Sequence, residues 1–363
     1  MPSHLDLVAG SYTEIRPGRD AAGEGLSLLR LDPASGALTT LDVLGGLLNP
    51  SYVRPQGSVI HAVCETPADH AGLATVQVQA GRLALLGQVP IPGDGPCHID
   101  RHPGGRWLAV ACYGSGHVMV LPLDAAGVAQ PACCVVAHRG SGPNPARQAG
   151  PHAHAVCFSP DGRVLLVADL GTDEVWCHGF DAATGALEQE PPRWQAPPAG
   201  PSGNGPRLLL FSPDGGHVIL LNEMANTVMS LRWQDGALML RDTTSTLPPG
   251  WSGETTAAGL RWHPSGRFFA ASNRGADSIA LFSFDAASGA IARVAGIATG
   301  PKPRDFEFSP CGRWLLAASQ DGDSIAVLEA DAARGRLSDT GIRHRVLTPS
   351  CVRFLSSAEH PSP

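Results

Sequence analysis

The chain has 363 residues, 43% of them apolar, so it can bury a sizeable core and does not have the composition of a disordered polymer. Glycine and proline number 43 and 32, about a fifth of the chain, without a collagen-like period; many turns between short elements are expected, and long helical bundles are not. With 26 basic against 33 acidic residues the net charge is −7, which argues against a general nucleic-acid or anionic-membrane surface. The N-terminal MPSHLD lacks a charged segment followed by an apolar run, and no stretch reaches the roughly 20 apolar residues of a membrane helix, so neither a secretory leader nor a membrane span is expected. Nine cysteines, odd in number and with only Cys133 and Cys134 adjoining, suit neither a disulfide framework nor a zinc site. A reducing cytoplasm is the expected compartment.

The first three predicted strands are LDLVAGSY, GLSLLRLD and ALTTLDVL. A unit then repeats. A Pro-x-Gly turn recurs at Pro55, Pro103, Pro160, Pro213, Pro264 and Pro310, with spacings of 48, 57, 53, 51 and 46 residues. Proline suits position i+1 of a β-turn and glycine position i+3. An apolar strand precedes most of these turns (AVCFS, LLLFS, GLRWH, DFEFS) and a second follows (RWLAVAC, RVLLVAD, HVILLNE, RFFAASN, RWLLAAS). A third comes next (HVMVLPL, EVWCHGF, TVMSLRW, SIALFSF, SIAVLEA), then a loop such as DAATGAL and a weaker fourth strand. Four antiparallel strands about every 50 residues is the signature of propeller blades. The C-terminal TPSCVRFL matches NPSYVRP at residues 49–55, the innermost strand of the repeat, but has no partners after it. Its partners are the three N-terminal strands. Pairing residues 348–356 with about 1–45 closes the ring and hides edge strands that would otherwise invite aggregation. The expected fold is therefore all-β, one seven-bladed propeller domain over 1–363, with the closing blade counted as the first.

Equivalent positions of successive blades form rings about the axis. At the start of the inner strand stand Ser51, Cys97, His154, Arg207, Arg304 and Ser350. Ten residues after each turn proline, at the end of the second strand, stand Glu65, Tyr113, Leu170, Glu223, Arg274 and Gln320; VAGSY adds Tyr12 by its match to AVACY. The two strands are antiparallel, so both rings converge on one mouth. A lone polar residue at a strand end commonly just satisfies backbone groups or lines a wet channel. Three arginines beside His154 and Glu223 are different, because such charge is costly to desolvate unless something anionic or reactive sits there. His102, His217 and His263 lie beside blade turns and are expected at the surface. The loop GSGPNP follows no Rossmann-like strand and opens no helix, and no G-x-S-x-G elbow is present.

The stretch HRGSGPNPARQAGPHAHAVCFSPDGRVLLVADLGTDEV, residues 138–175, resembles the lactonase family of seven-bladed propellers, which includes propeller-type 6-phosphogluconolactonases and carboxy-cis,cis-muconate cyclases. GSYT, NPSYV, GPCHID, GPR with NE, SNRGADSIALF and KPRDFEFSP with QDGDSIAV fall in family order, so the resemblance spans essentially the whole chain. It implies His154, Arg207, Glu223 and Arg274 as the active-site set. The chain departs from the family pattern where Leu208 replaces the histidine after GPR, where Cys112 replaces asparagine in CYGS, and where Cys64 precedes Glu65. His98, Arg147, Gln148 and His152 are expected to shape the pocket, with Tyr12, Glu65, Tyr113, Arg304 and Gln320 contacting substrate. No cofactor or metal is expected; the calcium-dependent sugar lactonases are also propellers, but their metal-site motifs are not the ones matched.

Opening a lactone requires a nucleophilic water, a stabilised tetrahedral oxyanion and a proton for the leaving alkoxide. His154 or Glu223 can serve as base, while Arg207 and Arg274 can hold the carbonyl oxygen or a carboxylate or phosphate. Three functions compete: a sugar lactonase, with 6-phosphogluconolactone as the leading substrate; a muconate-type cycloisomerase using the same residues; and a non-catalytic interaction propeller, against which the absence of WD dipeptides counts. The expected partner is a small anionic or sugar lactone, with the protein a monomer or homodimer and no nucleic acid or membrane bound.

Overall fold

The computed structural model describes residues 3–14 and 22–355, and the regular elements among them are β-strands apart from one 3-10 turn, Gln320–Gly322. They form seven antiparallel sheets, each running outward from an inner strand. Each inner strand packs against the inner strands of both neighbouring blades, and this chain of contacts closes on itself. The architecture is the seven-bladed β-propeller that the repeat predicts. Blade five is representative: Pro206–Phe211, His217–Asn222, Thr227–Gln234 and Ala237–Ser245. Among the described residues blade four departs from this plan, its outer edge divided between Ala186–Leu187 and Arg193–Gln195, which both pair with Glu174–Asp181.

The turns form as the spacing requires. Gly162, Gly215, Gly266 and Gly312 each have a positive φ, between 67° and 73°, and donate to the carbonyl three residues back at 2.8–2.9 Å. Glycine at that corner adopts the left-handed conformation without the steric penalty a side chain would meet.

Blade one joins the two ends of the chain. Pro349–Phe354 is its inner strand and pairs with Leu5–Ser11, with Leu7 opposite Phe354 and Gly10 opposite Cys351. Leu26–Leu31 and Leu38–Leu44 complete it. The expected extent of this blade also took in residues 1–2, 15–21 and 356, which lie outside the described residues.

The apolar core lies between blades. Trp107 and Val118 of blade three pack with Leu165 and Trp176 of blade four, and Leu7 and Leu29 of blade one with Trp314 and Ile325 of blade seven. These seams correct one expectation. His102, His217 and His263 are buried rather than on the surface. His102 Nε2 meets the Gly162 carbonyl at 3.0 Å and His263 Nε2 the Gly312 carbonyl at 2.9 Å, each reaching the turn of the following blade. His217 packs edge-on against Phe284, 5.4 Å between ring centres. A turn carbonyl pressed against its neighbour needs a donor, and the histidine beside the preceding turn supplies it.

Two outcomes follow from this packing. Deleting residues from Val346 onward removes buried Val346, Cys351, Val352 and Phe354 and exposes two blade edges. The melting temperature should fall by roughly 10 °C or more; a change within a couple of degrees would contradict the closure. His263→Ala should leave the Gly312 carbonyl unsatisfied and cost about 1–3 kcal/mol in a denaturant titration.

Candidate active site

Every inner strand breaks register with its second strand near the mouth, and six of the skipped residues are the ring residues. The pairing jumps from Pro50 to Tyr52, Pro96 to His98, Ala153 to Ala155, Pro206 to Leu208 and Pro303 to Asp305. In blade one it passes over Ser350, and in blade six over Ala258 and Gly259. A bulge of this kind leaves one residue unpaired and re-aims its side chain. Here it releases Ser51, Cys97, His154, Arg207, Arg304 and Ser350 from ladder geometry, and all six line one pocket on the axis.

Tyr52, Glu65, His98, Leu208 and Asp305 complete the lining. Asp305 is held by Arg261 at 2.9 Å and by Arg353 at 2.5 Å, residues farther along their strands, and both guanidiniums lie over the Tyr52 ring. The His98 ring is 4.3 Å from that of Tyr52, and burial holds its imidazole well below the usual range.

Glu223 is 5% exposed and organises the charge. Its Oε1 accepts from Arg147 Nη2 at 2.8 Å; its Oε2 accepts from Arg207 Nε at 2.8 Å and pairs with Arg274 Nη2 at 3.0 Å. Burial alone would raise this carboxyl, but Arg274 and Arg207 outweigh it and hold it well below the usual carboxylate range. Burial pulls Arg274 down to about 10, so it stays charged at neutral pH. Arg207 also donates through Nη1 to the Ala258 carbonyl, and its Nη2 has no hydrogen-bond partner among the described residues. His154 differs from all of these. Burial, reinforced by the charge of Arg207 and only partly offset by Glu223, keeps its imidazole well below the usual range, and its buried Nδ1 has no partner among the described residues.

Other sequence-expected residues divide by position. Tyr12 donates to Glu65 Oε2 at 2.9 Å and lies beneath Arg304, 5.2 Å from ring centre to guanidinium. Tyr113 stacks on His152 at 4.5 Å, lies edge-on to His154 at 5.4 Å, and accepts from Arg147 at 3.3 Å. His152 also contacts the Tyr113 carbonyl through Nδ1 at 2.7 Å. Gln148 stands outside the pocket lining: fully buried, it binds the Leu170 carbonyl and Asp173, so it anchors the loop that carries Arg147. Gln320 is not brought in either; it opens the 3-10 turn and its amide faces Asp321 at 3.3 Å. Leu170, in the same ring as Glu223, is fully buried.

The comparisons with known proteins bear on the fold and the family. The profile described as "Lactonase, 7-bladed beta-propeller" matches residues 6–354. The chain belongs to the lactonase family of seven-bladed β-propellers. A Bacillus subtilis 6-phosphogluconolactonase is 30% identical over 306 residues, covering 82% of this chain and 83% of the relative. Among solved structures, a periplasmic gluconolactonase of Pseudomonas aeruginosa is 32% identical with a TM-score of 0.87, covering 98% of this lactonase-family chain and all of its own. A Bacteroides fragilis propeller with a provisional 6-phosphogluconolactonase assignment is 31% identical, TM-score 0.88, with 98% of each chain covered. Among the described residues of this family member, no helix is long and apolar enough to cross a membrane.

Tyr52 and Asp305 are the pocket residues that sequence reasoning missed. Strict alternation turns the residue after each ring position away from the axis, and the bulge removes that alternation. A signal was present: they follow ring positions Ser51 and Arg304, just as His98 follows Cys97.

The sequence places these charges in a channel, where substitution would spare the fold. The structure revises that. Glu223→Gln leaves three guanidiniums crowded around a neutral amide, with Arg207 buried and Arg274 mostly so. It should lower stability by about 3–5 kcal/mol in chemical unfolding. Arg147→Ala, whose side chain is 39% exposed, should cost far less.

Proposed function

We propose that this protein is a hydrolase that opens a sugar lactone, with 6-phosphogluconolactone as its substrate. One observation carries the reading: a neutral, buried imidazole, His154, shares a pocket with Arg207, whose carboxylate partner is already saturated with cations. Glu223 is too weak a base to take a proton from water, since its charge is held by three guanidiniums. That leaves His154 as the general base. The imidazole accepts a proton as water attacks the lactone carbonyl, and the same proton then passes to the ring oxygen as the carbon–oxygen bond breaks. Arg207 stabilises the oxyanion, and Glu223 with Arg274 keeps that guanidinium in place. Asp305 is neutralised by Arg261 and Arg353, and the guanidiniums of Arg147, Arg207, Arg274 and Arg304 outnumber the remaining carboxylates, Glu65 and Glu223, which favours an anionic substrate. The relatives named as 6-phosphogluconolactonases support the phosphorylated sugar, and nine free cysteines support a reducing cytoplasm.

The test is a panel of 6-phosphogluconolactone, glucono-δ-lactone and a muconolactone, followed by ring opening. Turnover of the phosphorylated lactone is expected; turnover of the muconolactone alone would reassign the protein as a cycloisomerase. His154→Asn should lower kcat by about 10²–10⁴-fold, and Arg207→Lys should lower kcat/KM by about 10²–10³-fold while keeping the charge on Glu223. The base must be neutral to act, and His154 is held well below the usual imidazole range. Profiles of kcat/KM should therefore be flat between pH 6.5 and 8 and fall only at lower pH. An acid limb centred at or above pH 7 would rule His154 out as the base.

A further inference from the structure

The pocket has two unlike halves. Blades four and five contribute His154 and Arg207, and the Arg207 charge is met by Glu223, which also pairs with Arg274 behind the lining. Blades seven, one and two contribute Arg304, Ser350 and Ser51, with Tyr12 and Glu65 from the second-strand ends. On that side the polar groups are left over. Among the described residues the Arg304 guanidinium makes no hydrogen bond; it approaches Glu65 Oε2 at 4.0 Å, and that oxygen already accepts from Tyr12 at 2.9 Å. The Tyr12 ring beneath it holds the guanidinium in position without neutralising it. Ser51 is 4% exposed and its buried hydroxyl has no partner among the described residues, whereas the matching Ser350 hydroxyl is bound to the Gly10 carbonyl at 3.0 Å.

A buried hydroxyl with no acceptor among the described residues and a guanidinium whose ion pair to Glu65 spans 4.0 Å leave donors to spare, and one incoming anion satisfies both. We infer that Arg304 and Ser51 form the subsite for the remote anionic end of the substrate, a phosphate monoester, across the channel from His154. Arg304 receives the phosphate oxygens through its planar donor fork, Ser51 donates to one of them, and Glu65 is left to accept from a sugar hydroxyl. This assignment rests on the lactonase reading, and it makes Arg304 the residue that separates phosphorylated from neutral lactones.

The experiment uses the full chain as wild type, Arg304→Gln and Ser51→Ala. Two measurements are made: kcat/KM on 6-phosphogluconolactone and on glucono-δ-lactone, and the melting temperature against inorganic phosphate. The preference for the phosphorylated lactone should fall about 100-fold in R304Q and about tenfold in S51A. Phosphate should raise the wild-type melting temperature and not that of R304Q. Both lactones meet the same folded fraction, so the ratio is insensitive to a loss of stability. An unchanged ratio in R304Q overturns the subsite. Should the wild type open neither lactone, the lactonase reading fails by itself and the melting series decides. A phosphate-induced rise lost in R304Q then upholds the anion site, and no rise in the wild type overturns it.

Discussion

The register break at the mouth of each inner strand is the feature on which the rest of the pocket depends. A regular ladder would send alternate side chains toward the neighbouring blades and leave one residue per strand facing the axis. The break places an unpaired ring residue beside the residue that follows it, so that Arg207 with Leu208, Arg304 with Asp305 and Ser51 with Tyr52 all reach the same pocket. In blade six the skipped positions are Ala258 and Gly259, and this gap admits a side chain from next door: Arg207 of blade five reaches the Ala258 carbonyl.

Charge then dictates the chemistry this pocket can hold. Glu223 binds three guanidiniums brought from three places: Arg207 on its own blade, Arg274 on the next, and Arg147 on a loop pinned by Gln148. The arginines would repel one another without the carboxylate, and the carboxylate would be neutral in so buried a position without them. His154 is drawn into the same field with the opposite result, an imidazole that stays unprotonated. One residue is thereby committed to electrostatic organisation and the other left available for proton transfer.

The seams between blades keep these groups in register. Apolar clusters fill each interface, and polar latches such as His102 to Gly162 and Trp314 Nε1 to the Pro33 carbonyl tie each blade to the next. The latch from Trp314 crosses from blade seven to blade one, so it supports the same junction that the Pro349–Phe354 strand closes.

The sequence by itself determined the repeat, the blade count, the closure of the ring and the inner-strand positions Ser51, Cys97, His154, Arg207, Arg304 and Ser350 that line the pocket, because turn spacing and strand alternation are local properties written along the chain. Family resemblance added His154, Arg207, Glu223 and Arg274 as a set. Tertiary structure alone decided how their charges are set. Burial and the distances among Arg147, Arg207, Arg274 and Glu223 set which groups keep their charge, and no spacing along the chain encodes those distances. The same holds for His102 and His263, which look like surface residues beside a turn until the next blade supplies the carbonyl they bind. It holds also for Gln148 and Gln320, polar residues near the mouth whose amides are spent on neighbours, because an amide's partner depends on which backbone folds against it.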